Sequence, residues 1–140
     1  MSKKAIISVF SNENENNEEP ISVTTPGEFF EKNNCYYAMY KETKISGMEG
    51  TTTTLKIKSE EFCIVRMGTT STKMEFKKGK KTFSMYNTPY GTFELEIDTK
   101  VIDINVNDKG GKVYIKYDLN ISKQARQTTE LNIEIKVLEN

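Results

Sequence analysis

Arg66 is the residue in this chain whose surroundings most clearly call for chemistry. Its neighbours Phe62, Cys63, Ile64, Val65 and Met67 are all apolar, so a strand through them carries a guanidinium indoors. Arginine keeps its proton, and a buried charge without a partner costs several kcal/mol. A carboxylate should therefore lie close. Glu42, the acid near the end of the apolar run from Cys35 to Thr43, is the first candidate, and Glu75 and Glu94 follow. Such a pair has two uses. It can be a structural ion pair that fixes register or closes the fold, or Arg66 can sit at the base of a cavity and hold a carboxylate or phosphate through its planar fork. The tyrosines at 36, 37, 40, 86, 90, 114 and 117 are available either to line that cavity or to form half-buried wall. Tyr40, Tyr86, Tyr90 and Tyr117, with Arg66 and Glu42, are the candidate interior or ligand-contact residues.

Other chemistries find little support. The chain has no histidine, which removes Ser-His and Cys-His catalysis, histidine acid–base chemistry and most transition-metal sites. Cys35 and Cys63 lie in apolar runs without a CxxC and read as buried free thiols. Glu94, Glu96 and Asp98 alternate with Phe93, Leu95 and Ile97, which makes them the solvent side of a strand rather than a glycosidase pair across a cleft. The run Ser11 to Glu19 has no Asp and no turn glycine, so it reads as a solvated hairpin tip rather than a calcium loop. No cofactor and no metal are expected, and enzymatic activity is the least supported reading.

The chain has 140 residues and a net charge of +0, so no global field draws it to nucleic acid or anionic lipid, and neither partner is expected. Lys73, Lys77, Lys78, Lys80 and Lys81 lack interleaved aromatics on one face and read as a solvated hairpin tip. The first ten residues are too broken by polar side chains for a signal peptide, and no stretch approaches a membrane span, so a cytoplasmic location is expected. The sequence leaves the oligomeric state open.

The elements that must position Arg66 are strands. Strand-like runs span residues 4–11, Ile21 to Thr25 with Phe29 and Phe30 resuming it, Cys35 to Thr43, Thr51 to Lys58, Phe62 to Gly68 (apolar on both faces except for Arg66), Lys73 to Phe76 and Thr82 to Tyr86. Pro26-Gly27 interrupts the second of these, as at an edge or bulge. Phe93, Leu95 and Ile97 then alternate at odd numbers, and Ile102, Ile104 and Val106 at even ones. That change of phase requires an extra residue, a β-bulge, near Thr99-Lys100-Val101. Asn107 to Gly111 is a hairpin signal, Val113 to Ile121 and Leu131 to Val137 complete the set, and Ser122 to Arg126 turns between them. Tyr86-x-Thr88-Pro89-Tyr90-Gly91 reads as a structural corner, with Thr88, Pro89 and Gly91 fixing its backbone. The expected fold is all-β, one domain over residues 1–140, an antiparallel and mostly up-and-down closed barrel of about 8–10 strands.

Tyr40-x-Glu42, Thr53-Thr54-Leu55-Lys56-Ile57, Arg66-x-Gly68, Met74-x-Phe76, Tyr86-x-Thr88-Pro89-Tyr90-Gly91, Thr99 and Tyr117-Asp118 occur in one order. Together they resemble the YwiB-like bacterial proteins, a family of unknown function with a calycin, lipocalin-like barrel. The resemblance covers about residues 21–140 and implies a closed or nearly closed barrel, but no reaction. The expected function is that of a small-molecule binder, holding an apolar or anionic ligand inside the barrel near Arg66. The alternative is a non-catalytic structural or protein-interaction module whose barrel is filled by its own side chains.

Overall fold

The computed structural model describes residues 2–13, 21–122 and 126–138. Ten strands follow one another: β1 (Lys3–Glu13), β2 (Ile21–Lys32), β3 (Cys35–Lys41), β4 (Thr51–Ile57), β5 (Glu61–Gly68), β6 (Thr72–Lys77), β7 (Lys81–Thr88), β8 (Gly91–Asn107), β9 (Gly110–Ile121) and β10 (Gln127–Val137). A single 3₁₀ turn, Lys44–Ser46, is the only helical element among the described residues, and none of them forms a helix long and apolar enough to cross a membrane. The expected tip after Ser11 falls mostly on residues 14–20, and the turn after Ser122 mostly on 123–125, both outside the described residues.

All ten strands form one antiparallel sheet in the order β6-β5-β4-β3-β2-β1-β10-β9-β8-β7. Neighbours in space are neighbours in sequence except where β1 meets β10, paired from Ala5↔Val137 to Glu13↔Thr129. The end strands β6 and β7 come together and close the barrel, but they do so sparingly. Ser71 and Asn87 exchange two backbone hydrogen bonds of 2.9 Å each. Beside that bridge, Thr72 Oγ1 donates to the Met85 carbonyl at 3.2 Å and Thr82 Oγ1 to the Glu75 carbonyl. The result is an all-β, nearly closed barrel, as the alternation implies.

The bulge lies where the phase change demands it. Thr99 pairs with Tyr117 and Val101 with Lys116, so Lys100 is the extra residue. Thr99 is buried, Lys100 and Val101 both face water, and Ile102, Ile104 and Val106 return to pack against the core. Its backbone also anchors the β6–β7 turn: Gly79 N donates to Thr99 O at 2.9 Å, and Thr99 N donates to Lys80 O at 3.2 Å. One inserted residue thus rotates the second half of β8 and ties down the turn beside the seam.

Two expectations need correction. β2 runs unbroken through Pro26-Gly27, because Pro26 sits just before the first β2–β3 pair, Glu28↔Met39, where a missing N–H costs no rung on that side. Gly27 is needed for close approach: a Cβ there would lie 2.4 Å from the Met39 carbonyl oxygen and 2.5 Å from Ile7 Cδ1. The second correction concerns Thr88-Pro89-Tyr90-Gly91, which is a tight hairpin end rather than a corner in the sheet. Thr88 and Gly91 form the last pair, Thr88 Oγ1 donates to the Gly91 carbonyl at 3.0 Å, and it accepts the Tyr90 N–H at 3.1 Å. A two-residue loop reverses the chain; the change of face is made at Lys100.

The interior is graded. Phe29, Phe62, Phe76 and Ile57 are fully buried towards one end, while Thr51, Thr53 and Glu42 are buried towards the other. Tyr36 bonds Asp108 at 2.9 Å, joining the β2–β3 and β8–β9 turns at the aromatic end.

Deleting Lys100 should turn Ile102, Ile104 and Val106 outward. At roughly 1.5–3 kcal/mol for each fully buried aliphatic side chain, and less for these half-buried ones, the loss should be about 3 kcal/mol or more in urea unfolding. Unchanged stability would show that β8 needs no bulge.

Candidate functional site

Four adjacent strands set the site by register. Tyr40 on β3 pairs with Thr53 on β4, Thr53 with Arg66 on β5, and Arg66 with Thr72 on β6. The row two residues away, Ala38, Leu55, Ile64 and Met74, is core, so side-chain alternation turns the first row inward as well. Glu42, two residues past Tyr40, shares that face, and its N–H donates to the Thr51 carbonyl at 2.8 Å.

Arg66 Nε lies 3.8 Å from Glu42 Oε2, an ion pair too long to be a hydrogen bond. Thr53 Oγ1 donates to the same carboxylate oxygen. Arg66 Nη1 reaches Met74 Sδ at 3.7 Å, and its Nε is buried without an acceptor among the described residues. The Glu42 side chain is 3% exposed and that of Arg66 18%, so the guanidinium is the more open partner. Burial first, and then the neighbouring Glu42 charge, push the Tyr40 phenol well above the usual tyrosine range, while Arg66 pulls it back only in part.

Tyr40, Glu42, Arg66 and Met74 line a cavity of about 290 Å³ inside the barrel, together with Val9, Val23, Ile64, Leu95, Leu119, Ile121, Leu131, Thr72, Tyr86 and Tyr117, and Ser11, Ile21, Ser46 and Met48 complete the lining. Tyr117 meets Phe76 edge-on at 4.8 Å, and Phe76 meets Phe62 at 5.9 Å. Beyond Tyr117 the barrel is therefore filled with rings.

The structure brings Tyr40, Glu42, Arg66, Tyr86 and Tyr117 to this cavity, and excludes Tyr90. Tyr90 is 93% exposed because it is one of the two loop residues at the β7–β8 hairpin tip, which corrects its assignment as an interior residue. Met67, an apolar neighbour of Arg66, also points outward. Glu75 faces out between Lys73 at 3.4 Å and Lys77 at 3.7 Å, and Glu96 lies 3.9 Å from Lys81, so these acids and lysines belong to the outer surface. Cys35 and Cys63 are free and buried, and burial raises the Cys63 thiol pKa. Sequence reasoning missed Thr53 and Thr72 as site residues. Alternation puts a threonine on a face, but only the pairing register shows that these two flank Arg66.

Arg66→Ala should cost about 3 kcal/mol by leaving Glu42 unpaired indoors, whereas Arg66→Met with Glu42→Met should recover most of that loss in urea unfolding. Equal loss in both variants would show that the charges are not coupled. Tyr40 supplies a pH test. Its folded pKa lies above the ordinary value of 10.0, so the stability it contributes is complete below about pH 10 and falls as pH rises through the folded value. Tyr40→Phe should flatten that alkaline slope; an unchanged slope would place the Tyr40 hydroxyl in water.

Comparison with known proteins agrees with this architecture. A family model described as "Domain of unknown function (DUF1934)" matches residues 6–133. The chain is 26% identical over 121 residues to the "Uncharacterized beta-barrel protein YwiB" of Bacillus subtilis (strain 168), covering 86% of this chain and 84% of that one. The crystal structure of the ywiB protein from Bacillus subtilis superposes with a TM-score of 0.87 at 23% identity, covering 99% of this chain and 94% of that one, which shows the shared fold. The chain belongs to the DUF1934 family of YwiB-like β-barrel proteins, whose function is unknown.

Proposed function

We propose that this protein is a non-catalytic, calycin-like barrel that binds a small apolar or anionic molecule in the cavity beside Arg66 and Glu42. The observation that carries the reading is a hollow of about 290 Å³ lined by aliphatic side chains, the tyrosines Tyr40, Tyr86 and Tyr117, the Glu42 carboxylate and one partly open guanidinium. That volume lies just below the ~300–1,000 Å³ typical of ligand sites, so the ligand must be small. A few convergent polar groups on an apolar lining are what fix a ligand's orientation in such sites. The chain has no histidine to activate the hydroxyls that line the cavity, which favours binding over turnover.

A second reading, a structural or protein-interaction module, draws on one observation. Phe83, Met67 and Met85 are 66%, 69% and 53% exposed on strands at or next to the seam, which suits a surface that meets another protein.

Native mass spectrometry of protein purified from its own host tests the first reading. The expected spectrum shows a small-molecule adduct that is lost on denaturation. Leu95→Trp, which fills the cavity, should abolish the adduct while the protein stays folded by circular dichroism. An adduct that survives in Leu95→Trp would place the ligand elsewhere, and no adduct in the parent would favour the interaction module.

A further inference from the structure

The two charges in the cavity are unequally committed. Glu42 is enclosed, and Thr53 donates to the oxygen nearest Arg66. Arg66 has five N–H donors. Among the described residues its one hydrogen bond is a weak one, from Nη1 to the Met74 sulfur at 3.7 Å. The 3.8 Å approach of Glu42 balances charge without occupying the guanidinium fork. A planar oxyanion suits such a fork, because two parallel N–H···O bonds can form at once.

The rest of the cavity decides which oxyanion. Arg66 is the one cation among the described residues that line it, and Glu42 already neutralises that charge in part. A dianion such as a phosphate ester would bring a second negative charge with no second cation to meet it. Val23, Leu95, Ile121 and Leu131 provide apolar lining for a tail. At roughly 30 Å³ for each water-sized group, about 290 Å³ accommodates about ten non-hydrogen atoms.

Resting on the ligand-binding reading above, we infer that the ligand is a small amphipathic monocarboxylate of about ten non-hydrogen atoms. Its carboxylate lies on the Nη donors of Arg66 and its alkyl chain lies against the aliphatic lining. Glu42 then has a second role beyond stability. It is an internal anion beside the same guanidinium, so its charge opposes that of the ligand and holds the affinity down.

Isothermal titration of the intact protein at neutral pH with octanoate and with 1-octanol tests the class of ligand. Octanoate should bind at least about tenfold more tightly than the neutral alcohol, the gain expected when a charge-assisted head group is added. If octanol binds as tightly as octanoate, the cavity is a ligand site but the carboxylate assignment is overturned. If neither binds, the monocarboxylate inference fails, and the adduct on host-purified protein alone decides the binding function. Glu42→Gln removes the competing charge and should tighten octanoate binding several-fold relative to octanol. Octanoate binding that is unchanged or weaker relative to octanol in Glu42→Gln, with the variant folded, would remove Glu42 from that role. The comparison of octanoate with octanol on the parent protein decides the ligand class whether or not the variant folds.

Discussion

Closure of the sheet is the constraint on which the rest of this protein depends. Each strand carries one apolar face, and among the described residues there is no α-helix to cover it. Only by bringing β6 against β7 can the sheet hide that face on all sides and dispose of its two edges. The seam is made with few backbone bonds: one bridge at Ser71 and Asn87, two threonine hydroxyls on main-chain carbonyls, and the β6–β7 turn anchored on Thr99. The bulge at Lys100 belongs to the same device, since it lets one long strand serve the seam and then turn its second half back to the core.

Closure also creates the problem that Arg66 poses. Strand β5 has an inward position next to the seam, and a guanidinium occupies it between Thr53 and Thr72. The charge is tolerated because Glu42 is carried to it from β3, with Thr53 of the intervening strand bonded to the carboxylate. An apolar pair of similar volume would often be as stable or more so. That comparison is the reason to regard the pair as more than a staple. Among the described residues most of the arginine's donors have no acceptor, and a cavity lies beside it.

Much of this was legible in the sequence, for identifiable reasons. Period-two alternation located the strands, and the shift from Leu95 and Ile97 to Ile102 and Ile104 required the bulge that the register confirms at Lys100. Arg66 was visible as a charge within an apolar run, and the cost of isolating it called for an acid nearby. What could not be read was the pairing register between strands. Tyr90 and Tyr86 lie close together in one motif, yet one is at a hairpin tip and the other lines the cavity. Thr53 and Thr72 look like ordinary strand threonines until pairing sets them on either side of Arg66. Nor does alternation say whether a barrel is full. That depends on ring sizes at particular levels, here Phe62, Phe76 and Tyr117 filling one part and aliphatic residues leaving another open.

The family relationship shows a shared barrel and leaves its use open, so the question narrows to what the space beside Arg66 holds. A crystal structure of the protein grown with octanoate addresses it most directly. The expected density places a carboxylate within about 3 Å of the Arg66 Nη atoms, with the chain running between Leu95 and Leu131. A cavity collapsed onto a bidentate Glu42–Arg66 pair, or octanoate bound with its carboxylate turned away from Arg66, would contradict it.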